Sequence, residues 1–586
     1  MRARSIRWLL LVLGVLVPAA AVAVERPKWM DEPGIVMAGN WEVPSFRARR
    51  MGAMDYTLPP EKLAEYAREH TPEMIAELKD LGVNFLMLHG YKGAGMQTER
   101  QGFEDTKRFA ELARRSGMRV GIYIGGTLLY ERLFDEEPNA PQWQTRGPQG
   151  EPLFYNPQQT FRYAAVRNHP GFIEYLKKPV RYALQEVRAD LIHFDNFGLG
   201  ATSYDDFTKQ QFREYLQARG KRPADPPLPD ATGPLVRDWT DYKCEALAQH
   251  YATMSEFIRS IDPNCAVECN PGGVRDGAST LRGVDHARLL RLGNAFWDES
   301  PGARWSPERG VATTRIRSLK VGQLFRNSTF LYCESPLDLA ESMAFNVNCL
   351  GSVAWFEWGK VTAAHLSGKP IPPEMKTYIR FFLDHQELFR RSRPVADVAV
   401  LRTFAEQAFG PRRYLAIEQA LIQGHTAWRI IFDRQLNYLR GYRVVVAPDD
   451  PWLTAEQRSK LADFARKGGL VVASSSITRP AEFPSSIRDR LRVVAEAAPP
   501  VALELCQQQE AGRVLVHLVN YNAEQTIQDV SLALRLTAGE PQSAQLLVPT
   551  EPQSQQLPVR FENGCYRLTV PQLKVYAVVV LEKASL

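Results

Sequence analysis

The sequence lacks several features that mark common functional classes. Its 72 Lys and Arg residues form no dense basic block, so a surface that tracks nucleic-acid phosphates is not expected. None of its ten histidines stands at metal-ligand spacing from another, and Cys265 and Cys269 have no matching Cys or His pair nearby. We therefore predict no metal and no other cofactor. Internal repeats and low-complexity tracts are also absent.

Long apolar runs are confined to the amino terminus. Three arginines in the first seven residues precede an apolar stretch over 8–17, and small residues at 21–23 suit signal-peptidase cleavage. The alternative is a membrane anchor, which needs about 20 apolar residues, whereas Pro18 interrupts this run. We expect residues 1–23 to be a signal peptide. The mature protein would then be periplasmic or extracellular and free of the membrane.

Between residues 30 and 395, short apolar segments alternate with longer amphipathic ones. Helices are predicted at 72–81, 103–116, 171–187, 241–261, 315–325 and 336–349. The alternation predicts the α/β class and a (β/α)8 TIM barrel as the catalytic domain. An open doubly wound sheet would normally carry a glycine-rich phosphate loop after its first strand, and none follows here. The predicted strands are 35–41, 83–89, 119–125, 191–195, 266–270, 295–299, 329–334 and 352–358.

The character of the chain changes after Pro394. Short buried strands and a helix over 454–467 predict a small α/β, flavodoxin-like domain at 396–490. From 500 to 586 strand patterns follow one another without a helical one, which predicts a C-terminal β-sandwich.

Several predicted barrel strands end in acids. Because the carboxyl ends of barrel strands meet on one face, these side chains would share one pocket. Glycoside cleavage needs one carboxylic acid to protonate the leaving oxygen and one carboxylate to attack the anomeric carbon or activate water. The acids at or near the strand ends are Asp195, Glu268, Asp298, Glu299, Glu334 and Glu357.

Aromatic and polar residues accompany the same strand ends. Flat rings suit the apolar faces of sugars, and amides or cations can bind their hydroxyl groups. Each residue also has a structural interpretation: Asp195 could be a turn or N-cap residue, and Glu334 could cap the helix that begins near Pro336. The substrate-binding candidates are Trp41, His89, Arg167, Asn196, Asn270, Trp297, Asp298, Glu334 and Trp355.

The segments 39–41, 121–125, 165–172 and 189–198 resemble bacterial glycosyl hydrolases related to the α-amylase and α-galactosidase/α-fucosidase barrels. The segments 399–401, 439–448, 453–457 and 468–470 resemble the glutamine-amidotransferase-like trimerisation domain of certain bacterial β-galactosidases. That domain serves assembly without a catalytic thiol, and no Cys lies between 350 and 505 here. The resemblance implies a homo-oligomer formed through the middle domain.

The same resemblance implies a role for each acid. It makes Asp195 the nucleophile and leaves the proton donor open. The amylase-like arrangement matches Glu268, and the galactosidase-like one matches Asp298 or Glu299. Glu299 is preferred because it precedes a Ser-Pro-Gly loop at the pocket mouth. The β-galactosidases use glutamates after strands four and seven, whereas this chain has an aspartate at the fourth.

These observations lead to the hypothesis of an exported glycoside hydrolase that acts on an oligo- or polysaccharide by carboxylate acid/base chemistry. Its catalytic residues would be Asp195, Glu299 and Glu268. A second hypothesis is a non-catalytic carbohydrate-binding protein on a degenerate glycosidase scaffold, which would bind sugars without turnover. A third is a structural surface protein that assembles through its C-terminal domains.

Overall fold

The computed structural model describes residues 24–198, 202–274, 278–363, 368–541 and 543–586. The predicted signal peptide, residues 1–23, lies outside the described residues. Within the described ranges, no helix is both long and apolar enough to cross a membrane. All seven cysteines are buried free thiols.

Eight parallel strands form a closed barrel, each strand beside its predecessor in the chain. The barrel closes between the first and last strands and between the seventh and eighth, where Ser352 exchanges backbone hydrogen bonds with Leu331 (2.7 Å) and Cys333 (2.8 Å). The predicted (β/α)8 barrel is confirmed. Its strands are β1 (Ile35–Asn40), β2 (Phe85–Tyr91), β3 (Arg119–Gly125), β4 (Leu191–Asp195), β5 (Ala266–Cys269), β6 (Ala295–Trp297), β7 (Ser328–Phe330) and β8 (Cys349–Glu357).

Alternate residues of each strand point into the barrel or out toward the helices, as strand geometry requires. The barrel interior is an apolar cluster that includes Met37, Phe85 and Leu191. The outward residues, such as Ile122 and Ile192, pack in the larger core under the helices. Each strand is therefore buried on both sides, which explains the continuous apolar runs in the sequence.

Helices surround the barrel, and the clearest of them was predicted to the residue. In Pro72–Leu81, the hydroxyl of Thr71 accepts a hydrogen bond from the Met74 amide at 3.3 Å, and Gly82 ends the helix with a φ of 101°. The other α-helices of this region are Pro44–Arg50, Pro60–Ala67, Arg100–Arg115, Leu133–Glu136, Pro170–Gln185, Asp206–Gln217, Pro234–Ile261, Ala278–Arg282, His286–Leu289, Ile316–Phe325, Pro336–Phe345, Pro373–Asp384 and Gln386–Phe389.

A four-stranded parallel sheet follows the barrel, in the order Trp428–Ile431, Val398–Leu401, Val444–Ala447 and Leu470–Ala473. The helices of this region are Phe404–Phe409, Tyr414–Gln423, Ala455–Arg466 and Phe483–Ser486. This arrangement confirms the predicted flavodoxin-like fold, and the strand Trp428–Ile431 is an addition to the sequence prediction.

Two antiparallel sheets form the C-terminal β-sandwich and enclose an apolar core of their own. The six-stranded sheet has the order Arg393–Pro394, Val501–Gln508, Arg513–Asn520, Tyr576–Glu582, Ser543–Leu547 and Gln555–Pro558. The four-stranded sheet has the order Val493–Glu496, Ile527–Leu534, Cys565–Leu573 and Arg560–Glu562. The fold class is as predicted, while the domain boundaries at 395, 490 and 500 remain predictions.

Candidate active site

A cavity of about 250 Å³ opens at the carboxyl ends of the barrel strands. The lining residues at the strand ends come from several different strands, so positions far apart in the sequence face the same cavity. The lining residues are Trp41, Glu42, Phe46, Arg50, Met87, Lys92, Tyr155, Gln159, Arg162, His193, Asp195, Asn196, Asn270, Trp297, Glu299 and Tyr332.

Asp195 ends β4 with its side chain in this cavity, 17% exposed. Its carboxylate accepts hydrogen bonds from the Tyr123 hydroxyl, from Asn196 Nδ2 at 2.5 Å and from Asn270 Nδ2 at 2.8 Å. Asn196 reaches it from a left-handed backbone conformation, φ 55°, which asparagine tolerates better than most residues. Three donors fix the orientation of the carboxylate.

Burial alone would raise the pKa of Asp195, but neighbouring groups outweigh it. His193 Nε2 lies 3.8 Å from Asp195 Oδ1, and together with Lys92 and the Tyr123 hydroxyl it holds the pKa of Asp195 well below its ordinary value. Asp195 is therefore ionised throughout the neutral range.

Glu268 lies beneath the cavity. Its side chain is fully buried, and one carboxylate oxygen bonds to His193 Nδ1. Burial opposes the charged form of His193, but Glu268 and Asp195 on either side raise the pKa of His193 to about 9. Burial raises the pKa of Glu268 itself. Glu268, His193 and Asp195 thus form a connected row in which a cationic imidazole separates two acids.

Glu299 lies beyond the end of β6, at the mouth of the cavity, where its side chain is open to solvent. Its Oε1 accepts a hydrogen bond from the Tyr332 hydroxyl at 3.4 Å. Partial desolvation at the cavity mouth and the negative charge of Asp195 raise the pKa of Glu299. Asn270 contacts Glu299 as well as Asp195, so one amide links the two acids.

Aromatic rings form one wall of the cavity. Trp41 packs edge-on against Trp297, with ring centroids 5.3 Å apart, and stacks near Tyr332 at 6.2 Å. The Trp41 ring folds back over Gly39, where a Cβ would lie only 1.9 Å from a ring carbon. Gly39 therefore determines the position of this ring. Trp355 supports Trp41 from below, 4.5 Å between centroids.

The long insertion after β3 covers part of the cavity. It begins with a short hairpin, Leu128–Tyr130 paired with Arg162–Ala164, and contributes Tyr155, Gln159 and Arg162 to the lining. This insertion therefore forms part of the roof over the carboxyl ends of the barrel strands.

The structure brings together only part of the predicted site. Asp195, Glu299, Trp41, Asn196, Asn270 and Trp297 line the cavity. Of the described candidates, Glu268, His89, Arg167, Asp298, Glu334 and Trp355 do not.

His89 and Arg167 were predicted to bind the substrate, but the structure places both outside the cavity. A register shift between His89 and Tyr91 marks a bulge in β2, and the His89 ring bonds to Tyr66 (3.0 Å) and Thr106 (2.8 Å) beside the helices. Arg167 lies in a second, much smaller cavity with Lys243. Both side chains are 5% exposed or less and lie away from the cavity that holds Asp195.

Asp298, Glu334 and Trp355 miss the cavity for simple geometric reasons. Asp298 follows the inward Trp297 and so points the opposite way, where it accepts a hydrogen bond from the Ser300 amide at 2.8 Å. Glu334 lies well past the end of β7 and is exposed. Trp355 points inward, but Trp41 covers it.

Sequence reasoning missed ten lining residues. His193 could have been found, because it stands two residues before Asp195 and so shares its face of β4. Lys92 and Tyr332 come just after the ends of β2 and β7, so their positions in the sequence also indicated the cavity. Residues such as Arg162 and Tyr155 belong to an insertion, so strand periodicity held no information on them. The missed set is Glu42, Phe46, Arg50, Met87, Lys92, Tyr155, Gln159, Arg162, His193 and Tyr332.

No family model and no curated protein matches this chain. Solved structures do match it over nearly its whole length. An α-L-fucosidase isoenzyme 2 from Paenibacillus thiaminolyticus gives a TM-score of 0.68 at 14% identity, covering 94% of this chain and 99% of that one. A β-galactosidase from the haloarchaeon Halorubrum lacusprofundi gives 0.60 at 14% identity, with 94% and 98% covered. One from Bacillus circulans sp. alkalophilus gives 0.60 at 11%, with 94% and 99% covered. The likeness establishes that this chain has the fold of these glycoside hydrolases.

Proposed function

We propose that this protein is a glycoside hydrolase in which Asp195 is the nucleophile and Glu299 the proton donor. The observation that carries the proposal is that the pKa values of two acids in one cavity are shifted in opposite directions. The pKa of Asp195 is lowered and that of Glu299 is raised. Glycosidic cleavage requires a carboxylate that stays ionised beside a carboxyl that holds its proton more tightly than usual.

In the first step, an oxygen of Asp195 attacks the anomeric carbon while the bond from that carbon to the leaving oxygen breaks. Glu299 gives its proton to the leaving oxygen, so the alcohol departs neutral. In the second step, Glu299 takes a proton from water, the water oxygen attacks the same carbon, and Asp195 is released. The bonds of Tyr123, Asn196 and Asn270 keep the nucleophile aligned throughout.

Glu268 acts in this proposal through His193. It is fully buried and bonded to the imidazole, so it offers no proton to a substrate in the cavity. Its negative charge keeps His193 cationic, and His193 in turn favours the ionised form of Asp195. We therefore assign Glu268 as a positioning residue and Glu299 as the acid.

The substrate in this proposal is an oligo- or polysaccharide, and the cavity holds its terminal sugar unit. At about 250 Å³, the cavity is smaller than the roughly 300–1,000 Å³ of sites for drug-sized ligands. The Trp41 and Trp297 rings would contact the apolar face of that unit. We also propose that residues 1–23 direct export and that the middle domain mediates assembly. The sequence patterns of those two segments support these two proposals.

The direct experiment is a screen of the full mature chain against 4-nitrophenyl glycosides of both anomeric configurations. We expect release of nitrophenol from at least one glycoside, and a loss of kcat/KM of more than about a thousandfold in Asp195→Asn. Glu334→Gln is the matched control, because this acid lies in the loop after β7, exposed and outside the cavity. Tight sugar binding without turnover in the wild type would instead favour the non-catalytic binding protein.

A further inference from the structure

The charges that face the candidate active-site cavity are almost all paired. Glu42 binds Arg50 Nη1 at 3.0 Å and Lys92 Nζ at 3.1 Å, so one carboxylate serves two cations. His193 lies between Glu268 and Asp195. Of the cations that line the cavity, Arg162 remains.

Arg162 forms no ion pair with any carboxylate of the described residues. Its Nη1 donates a hydrogen bond to Gln159 Oε1 at 2.7 Å, and its Nε has no partner among them. The side chain is only 5% exposed, yet it lines the cavity. A buried cation loses hydration that no ion pair replaces here, although Glu42 is close enough for its charge to favour the cationic form.

Aromatic rings hold the Arg162 guanidinium in place. Its central carbon lies 4.0 Å from the Tyr155 ring centroid, 5.0 Å from that of Phe46 and 5.4 Å from that of Tyr130. Such contacts orient the planar group without neutralising it. They also surround it with apolar surface, where a hydrogen bond to an ionised partner is stronger than in water.

We infer that the terminal sugar of the substrate carries an anionic group, a carboxylate or a sulfate, that binds Arg162. The inference rests on the proposed function, since it specifies the substrate of the same site. Both anions offer paired oxygens that match the guanidinium fork, whereas a neutral hydroxyl leaves the charge unbalanced. Arg162 and Asp195 line one small cavity, so the anionic group and the anomeric carbon belong to the same or adjacent sugar units.

The test is calorimetric titration of the full mature chain with D-glucuronate, D-galacturonate and galactose 6-sulfate, and with the neutral parents glucose and galactose. We expect at least one anionic sugar to bind roughly ten- to a hundredfold more tightly than its parent. Uronates and the sulfate in separate arms distinguish the two anions. In Arg162→Gln the ratio of anionic to neutral affinity should fall toward one. Arg132→Gln should keep the ratio, because it removes a cation of the same insertion that is paired with Asp135 outside the cavity.

Because Arg162→Gln removes a buried side chain, a salt titration of the wild type gives a second measurement. Added salt should weaken the binding of the anionic sugar and leave the affinity for its neutral parent unchanged. Equal affinities, or a preference that survives Arg162→Gln, would overturn the inference. Anionic binding that depends on Arg162 without any glycoside turnover would overturn the proposed function and leave the inference standing. Turnover of neutral glycosides with no preference for anionic sugars would overturn the inference and leave the proposed function standing.

Discussion

Three residues on two neighbouring strands determine the electrostatics of the candidate site. Asp195 and His193 lie on the same face of β4, and Glu268 lies on β5 directly beside them. The imidazole stays cationic because an acid flanks it on each side, and Asp195 stays ionised because the imidazole is cationic. The resemblance in sequence pointed to Asp195, whereas the role of His193 became visible only from its contacts.

The raised pKa of His193 makes stability depend on pH. Its pKa rises from 6.5 to about 9 on folding, so the folded protein binds this proton more tightly than the unfolded chain does. The stabilisation is complete below pH 6.5 and is lost as the pH rises through about 9. We expect the thermal midpoint of the wild type to fall over this interval, and the fall to be smaller in His193→Gln.

His385→Gln provides the control for that comparison, since its ring lies at the surface with 34% of the side chain exposed. Its pH profile should follow that of the wild type. If His193→Gln lost as much stability as the wild type between pH 6.5 and 9, the ion row of Asp195, His193 and Glu268 would not carry the effect.

At the scale of elements, the sequence predicted all eight barrel strands, because eight short apolar segments separated by helices leave few other arrangements. It predicted strand ends less well. The seventh strand was expected over 329–334, but β7 stops at Phe330, so Glu334 lies in the loop outside the cavity. The bulge at His89 is a further local feature without a signal in the periodicity. Inward-pointing residues could be predicted from the sequence, whereas those from insertions could not.

The start of helix Pro336–Phe345 offers a prediction at this scale. The hydroxyl of Ser335, and not the side chain of Glu334, caps it, accepting a hydrogen bond from the Asp338 amide at 3.2 Å. Ser335→Ala should lower the free energy of unfolding by about 1 kcal/mol. Glu334→Ala should change it much less, because that side chain is exposed. Urea unfolding of both variants checks this, and a larger loss in Glu334→Ala would reverse the assignment.

At the scale of the whole molecule, buried polar contacts join the barrel to the domains that follow it. Lys320 Nζ on helix Ile316–Phe325 binds Glu504 of the sandwich at 2.5 Å, with both side chains at most 3% exposed. The Tyr521 hydroxyl donates to Glu341 at 2.6 Å. Arg317 binds Glu418 of the middle domain at 2.8 Å. The sandwich thus contacts and stabilises the helices Ile316–Phe325 and Pro336–Phe345, which flank β7 in the sequence.

Breaking the Lys320–Glu504 pair should be costly. Lys320→Met leaves Glu504 buried without its partner, and loss of one member of such a pair costs about 3–5 kcal/mol. We expect a clear drop in the urea midpoint and in the thermal midpoint. Arg391→Met is the matched control, because its pair with Glu510 is 68% and 81% exposed and contributes no more than about 1 kcal/mol. Equal effects of the two changes would mean that the buried pair does not join the domains.

The central claim is that Glu299, and not Glu268, gives the proton to the leaving group. The most direct measurement is kcat/KM for a series of aryl glycosides whose phenols differ in acidity, in Glu299→Gln and in Glu268→Gln. Loss of the acid should cost roughly 10²–10⁴-fold on poor leaving groups and far less on phenols that need no proton. We predict this steep dependence for Glu299→Gln and a uniform loss for Glu268→Gln. A steep dependence in Glu268→Gln with a shallow one in Glu299→Gln would contradict the account.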